Sequence, residues 1–269
     1  MNLEEKLKSV AMNGKNSTEN NLMLSDKTCP KCLGIGWIVD KNNMATRCEC
    51  YQDILTNNRI RFANIPEAFK DMRLNSFKAS YYRDKNTLKS VISTIKYWLD
   101  HIQEMKEQGL GLYLYSETKG SGKTRMAASL ANELIYEHDM TVKFVTSLDI
   151  IAEIKSTWNR DNEEFSSEGQ LINYLNNTEV LVIDDFGTEK HNGQTSWIDD
   201  KFYQIINTRY TKQLLTIFTS NYEIKDLMYD DRIINRIIER TYPVKFPEES
   251  VREVIAAIRQ ENIKKGMGV

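Results

Sequence analysis

The chain has 269 residues, 41% of them apolar and 28% charged, with a formal net charge of −2. That length allows one large domain plus a small one, and the near-neutral balance excludes a generally basic coat for nucleic acid while leaving room for a local basic strip. No apolar run approaches the ~20 residues of a transmembrane helix, and the opening Met-Asn-Leu-Glu-Glu-Lys-Leu-Lys lacks the apolar region of a signal peptide, so a cytoplasmic protein with no membrane partner is expected.

Residues 2–12 fit a short amphipathic helix through Leu3, Leu7 and Val10, and residues 13–28, rich in Asn, Ser, Thr and Lys, read as a linker. All four cysteines follow, as Cys29-Pro-Lys-Cys32 and Cys48-Glu-Cys50. In a reducing compartment such a cluster calls for a metal before a disulfide. Gly34 and Gly36 let backbone amides turn toward the sulfurs. Trp37–Val39 leads away as a strand, turns near Asp40–Asn43 and returns through Met44–Arg47. Four thiolates suit one tetrahedral, structural Zn²⁺, with free thiols and an iron–sulfur cluster as the other readings of the spacing. A core this small would need the metal to fold.

A charged helix is expected from Tyr51 to Arg61, broken by Ile65-Pro66, and a longer one over 84–107 carries Leu88, Val91, Ile92, Ile95, Trp98, Leu99 and Ile102 at helical spacing. Gly109 ends it. Leu112-Tyr113-Leu114-Tyr115 then reads as a strand covered on both faces. Gly120-Ser121-Gly122-Lys123-Thr124-Arg125 follows and opens a helix rich in Ala and Leu. Backbone N–H groups wrap a phosphate only where side chains leave room, hence the glycines, and the helix N-terminus adds partial positive charge. Lys123 would reach the β- and γ-phosphates of ATP, and the Thr124 hydroxyl would hold Mg²⁺. Glu117 stands where G-x-x-x-x-G-K-[ST] places its first glycine, and a carboxylate beside a triphosphate is unfavourable unless it points outward. Thr141–Thr146 reads as a second strand, Ser147 or Asp149 as the cap of a helix over 148–158, and 168–177 as a short helix.

Val180-Leu181-Val182-Ile183-Asp184-Asp185 is an apolar strand ending in two acids. Asp184 would hold Mg²⁺ and Asp185 would polarise the attacking water, although many buried strands end in Asp and a cap would look the same. A helix from Ser196 to Tyr210 and a strand Leu214–Thr219 follow, the strand running into Ser220-Asn221. Asn221 at that tip can hydrogen-bond a γ-phosphate or the attacking water. Arg232, Arg236 and Arg240 recur at every fourth position and share a helix face. Such a stripe is either a solvated or salt-bridged face or, in an oligomeric nucleotidase, the source of an Arg that reaches a neighbour's γ-phosphate. Tyr242–Phe246 is a fifth strand and 250–264 a closing helix.

Together these residues resemble the AAA+ family, and within it the DnaC/IstB-like helicase-loader group, over roughly 62–262. The carriers are Gly120–Thr124, Asp184-Asp185-Phe186-Gly187 with Glu189 and Trp197, Ile205-Ile206-Asn207-Thr208-Arg209-Tyr210, Thr219-Ser220-Asn221 and Arg232–Glu239. The resemblance implies an α/β fold: a parallel P-loop sheet flanked by helices, a short or absent C-terminal lid and a small N-terminal zinc-binding domain. It divides the chain into a helicase-interaction domain, 1–60, and an ATPase domain, 61–269. It gives Asn221 the sensor-1 role, makes Arg236 the arginine finger and Arg252 a sensor-2-like nucleotide contact. It places Lys155 and Arg160 along a single-stranded DNA path. The implied activity is a weak basal ATPase serving as a switch, with ATP, Mg²⁺ and Zn²⁺ as cofactors. The implied partners are a hexameric replicative helicase, single-stranded DNA and further copies of the chain. A transposition helper ATPase of the IstB type and a nonhydrolysing nucleotide-binding adaptor are the alternatives.

Overall fold

The structure is a computed structural model and describes residues 29–158, 167–190 and 196–267. The helix expected over 2–12, the linker 13–28 and Arg160 lie outside the described residues. The chain divides into two compact units, Met1–Ile54 and Leu55–Val269.

The first unit is a cysteine knuckle followed by a two-stranded antiparallel ribbon, β1 (Trp37–Val39) and β2 (Ala45–Arg47), with Trp37 opposite Arg47. The Asp40 carboxylate accepts the amides of Asn42 and Met44 at 2.9 Å each and so closes the turn. Asn43 adopts φ 61°, left-handed backbone that asparagine tolerates. Helix α1 (Tyr51–Ala63) starts in this unit.

The second unit is a parallel sheet between two layers of helices. Helices α2 (Lys85–Asp100) and α3 (Ile102–Gln108) precede β3 (Gly111–Tyr115), α4 (Lys123–His138) and β4 (Val142–Thr146). Then come α5 (Ser147–Trp158), α6 (Glu168–Asn177), β5 (Val180–Phe186), α7 (Ser196–Thr211) and β6 (Leu215–Ser220). The chain closes with α8 (Asp231–Arg240), β7 (Thr241–Lys245) and α9 (Val251–Gly266). All neighbouring strands are parallel, in the order β4-β5-β6-β3-β7.

Alternation along the strands divides the core in two. Leu112, Leu114, Val180 and Val182 pack with Leu99, Ile102 and Leu134 on one side of the sheet. Tyr113, Leu181 and Ile183 pack with Ile150, Leu171, Phe202 and Ile233 on the other. Both faces of β3 and β5 are therefore dry, as near-continuous apolar strands require. Skipping from β3 out to β4 and returning through β5 and β6 brings the C-terminal tips of β3, β5 and β6 together, the edge at which open parallel sheets bind ligands.

Two local expectations are corrected. The single helix over 84–107 is two helices: His101 leaves helical backbone at φ −114° and ψ 26°, its ring stacks on Tyr97, and α3 restarts with Ile102 and Met105 back in the core. Neither Ser147 nor Asp149 caps α5. The Thr146 hydroxyl accepts the Asp149 amide at 3.0 Å, while the Ser147 hydroxyl donates to the Asp185 carbonyl at 3.0 Å. After β7, α9 is the one helix among the described residues, and no described helix is long and apolar enough to cross a membrane.

Candidate nucleotide site and cysteine centre

The loop between β3 and α4 turns through Gly120 at φ 81° and Gly122 at φ 99°. A Cβ on Gly122 would stand 2.2 Å from the Tyr82 hydroxyl, so only glycine fits beneath that contact. Tyr82 reaches in from the segment before α2 and donates to the Ser121 carbonyl at 2.7 Å. Lys123, buried at the start of α4, points its ammonium back into the loop and donates to the carbonyls of Ser116 and Thr118 at 3.1 Å and to the Ser121 hydroxyl at 3.3 Å. Burial pulls this ammonium down to about 8, against the carboxylates of Asp185, Glu248 and Asp184 that favour its charge. An incoming polyphosphate would supply the missing negative charge.

Asp184 and Asp185 end β5 beside this loop. Asp184 is buried and accepts the Thr219 hydroxyl at 2.5 Å, and the nearby Thr124 side chain favours its charged form. Burial pushes its carboxyl up to about 6, opposed by the Thr219 hydrogen bond and reinforced by the neighbouring Asp185 charge. A buried carboxyl raised by a second acid and touching a hydroxyl fits a divalent cation, which would take up that charge. Asp185 is exposed and left-handed at φ 53°, and its amide is held by the Thr219 hydroxyl at 3.0 Å. This twist aims consecutive acids differently: Asp184 stays within the sheet and Asp185 lines the cleft.

The cleft has a volume of about 420 Å³. Lys119 to Arg125 form one wall, Asp185 and Asn221 stand at the strand tips, and Phe77, Tyr81 and Arg252 are among the residues that close the cleft. Nine of the expected nucleotide residues thus meet in one place: Gly120, Ser121, Gly122, Lys123, Thr124, Arg125, Asp185, Asn221 and Arg252. Asp184 joins them through Thr124. Arg125 is tied to the Ser76 carbonyl at 2.5 Å and lies over the Phe77 ring. Glu117 is exposed and stays off the lining, which removes the conflict its carboxylate posed.

Arg236 is not brought to this cleft. It bonds the Asn207 side chain at 2.8 Å and the Tyr203 hydroxyl at 3.2 Å, and stacks over Tyr203 and Tyr210. Arg232 stacks on Tyr203 and Arg240 on Tyr210, so the stripe joins α7 and α8 as a ladder of cations and tyrosines, while Arg232 stays exposed and pairs with Asp230 at 2.9 Å. Lys155 lies over the Trp197 ring. Tyr82, Thr219 and Glu248 are site residues that sequence reasoning missed, since each acts through a contact distant in sequence.

In the first unit, the sulfurs of Cys29, Cys32, Cys48 and Cys50 all lie within 4.8 Å of one another. Cys29 and Cys48 are 3.7 Å apart, Cys32 and Cys50 3.3 Å. Tetrahedral Zn–S bonds of about 2.3 Å put sulfurs about 3.8 Å apart, so the set fits one such ion. The amide of Gly36 donates to the Cys32 sulfur at 3.2 Å. Burial would raise the Cys32 thiol, but hydrogen bonds from Cys50 and the amides of Gly36 and Gly34 outweigh it and hold it at about 6. Cys50 is pushed well up, first by Cys32. Four thiolates cannot share this space without a cation.

The strand order, the glycine loop on a helix N-terminus and the double acid on the next strand but one define a P-loop nucleotide-binding protein of the AAA+ class. The chain belongs to the IstB-like ATP binding protein family, whose profile matches residues 49–254. It is 29% identical over 160 residues to the replicative helicase loader DnaI of Bacillus subtilis (strain 168), covering 54% of this chain and 48% of that protein. It is 29% identical over 127 residues to the replicative helicase loader DnaC of Escherichia coli (strain K12), covering 46% and 49%. The chain thus spans about half the length of these relatives. Among solved structures, that of DnaI superposes with a TM-score of 0.57 at 21% identity, covering 72% of this chain and 99% of that one.

Proposed function

We propose that the protein is an ATP-switched loader of a hexameric replicative helicase. The observation that carries this reading is the division of the nucleotide machinery: loop, Asp185 and strand-tip Asn converge in one cleft, with Asp184 buried beside it, while Arg236 stands outside it. Such a site binds nucleotide alone and hydrolyses it efficiently only when another copy adds its arginine.

Lys123, released from the Ser116 and Thr118 carbonyls, would pair with phosphate oxygens. Thr124 and Asp184 would hold Mg²⁺, which neutralises the charge developing on the phosphates. Asp185, exposed in the cleft, would take up the proton of the attacking water, and Asn221 would orient that water. Arg252 would touch the phosphates from α9, and Arg236 would stabilise the transition state in a neighbouring copy. Residues 1–60, with Zn²⁺ held by Cys29, Cys32, Cys48 and Cys50, would engage the helicase, and ATP-bound copies would assemble side by side on single-stranded DNA. Lys155 is a candidate DNA contact. Two relatives described as replicative helicase loaders support this reading.

Family membership keeps one other reading, an IstB-type transposition helper, which would prefer duplex to single-stranded DNA. The deciding experiment is native mass spectrometry of the protein with its host's replicative helicase, with and without ATP. A stoichiometric complex, lost when residues 1–60 are removed, is expected. No complex in either state would overturn the loader reading.

A further inference from the structure

The segment between β7 and α9 grips the phosphate loop at two points. Glu248 accepts the Ser116 hydroxyl at 2.9 Å, the Thr118 amide at 2.9 Å and the Glu117 amide at 3.2 Å. Three residues on, the Val251 amide donates to the Gly120 carbonyl at 3.0 Å. The adjacent Glu249 turns elsewhere and accepts the amides of Arg83 and Asp84 ahead of α2. The Glu117 amide that Glu248 holds shares its peptide unit with the Ser116 carbonyl, and the Thr118 amide belongs to the residue that supplies the second carbonyl, so both acceptors of the Lys123 ammonium lie on or next to a held peptide.

We propose that Glu248 is a positioning residue for nucleotide binding, fixing the first peptides of a phosphate loop that starts with Glu117 instead of glycine. The inference rests on the nucleotide-site reading above. Glu117 is not among the residues with left-handed backbone, so the fold needs no glycine there. What the loop needs is a fixed start, because amides that must converge on a phosphate act best when already oriented. Three donors on one carboxylate supply it, and charge-assisted hydrogen bonds are the strong ones. Burial would raise the Glu248 carboxyl, but these donors outweigh it and hold it below its usual range. The charge itself would be a disadvantage, since Glu248 acts electrostatically on the same Lys123 ammonium that would pair with phosphates. Geometry and charge therefore pull in opposite directions, and that makes the role testable.

Fluorescent ATP would be titrated into the full chain, the Lys123→Ala control, and Glu248→Ala, Glu248→Gln and Glu249→Ala, with thermal melts of each free protein. Glu248→Ala should bind about tenfold more weakly, the scale of one lost charge-assisted hydrogen bond. Glu248→Gln keeps an acceptor for Ser116 and Thr118 and sheds the charge, so it should bind as tightly as wild type or more tightly. Glu249→Ala should bind as wild type does, and the melts should show each variant cooperatively folded at the temperature of the titration. If both Glu248 variants tighten binding, the residue acts only by repulsion and the proposal fails. If both weaken it equally, or Ala leaves it unchanged, the proposal also fails. Absence of binding by the wild-type chain, or binding undiminished by Lys123→Ala, would instead overturn the nucleotide site itself.

Discussion

Asp184 is a carboxyl buried beside a second acid, and this sets a pH dependence. Its ordinary value of 3.8 rises to about 6 in the fold, chiefly through burial. An acid raised on folding favours the folded state at low pH, and that contribution disappears as pH rises through about 6. At pH 7 the ionised group costs at most about 3 kcal/mol, from a shift of roughly two units. Asp184→Asn keeps an acceptor for the Thr219 hydroxyl and loses the charge. In nucleotide-free, Mg²⁺-free protein it should raise the melting temperature at pH 7, with the gain shrinking toward pH 4.5. It should weaken Mg²⁺-dependent ATP binding at the same time. No stabilisation at pH 7 would mean that the carboxylate is already compensated. At this scale Lys123 and Asp184 were legible, because loop and strand chemistry demand those residue types at those offsets. Thr219 was not: its hydroxyl bridges the Asp184 side chain and the Asp185 amide across two strands, and nothing local in Thr-Ser-Asn marks it.

β3 and β5 were readable as near-continuous apolar runs, because the two clusters they separate keep both their faces dry, and α4 was readable from its run of Ala and Leu. The break at His101 was not, since the apolar spacing resumes at Ile102 and hides a change of direction. The arginine stripe of α8 shows the same limit: spacing places three arginines on one face but not the tyrosines of α7 that receive them. That ladder bears on Arg236. Truncating it removes a stacked cation and the bonds to Asn207 and Tyr203 but no group of this chain's own cleft. Arg236→Ala should therefore lower stability by about 1 kcal/mol, leave ATP affinity within about twofold, and abolish DNA-stimulated turnover. Mixing it with the Lys123→Ala chain should restore turnover, since the wild-type Arg236 of one serves the intact cleft of the other. Loss of ATP affinity in Arg236→Ala alone would place this arginine's effect within its own copy.

The whole molecule pairs two units held together by different physics. The second has two buried apolar clusters on a five-stranded sheet, enough burial to sustain itself. In the first, among the described residues up to Ile54, the buried positions are Cys32, Gly36 and Cys48. Leu33, Ile35, Trp37, Val39 and Met44 are exposed. Among the described residues, hydrophobic burial there is too small to offset the entropy of ordering the ribbon, and a cation held by the four sulfurs would supply the folding free energy. The cysteine spacing made the ligand set legible, but only the fold shows that almost nothing else lies beneath it. Two unfolding events should follow. A zinc chelator at neutral pH should release one Zn²⁺ per chain and abolish the signal of Trp37, which packs edge-on against Tyr51. The main melting transition and ATP binding should survive, because neither draws on the sulfurs. Cys50→Ser should do the same without chelator and should also prevent helicase capture. If chelation instead lowers the main transition, the nucleotide-binding unit depends on the ribbon for stability, and the ion is part of one cooperative fold rather than the core of a separate one.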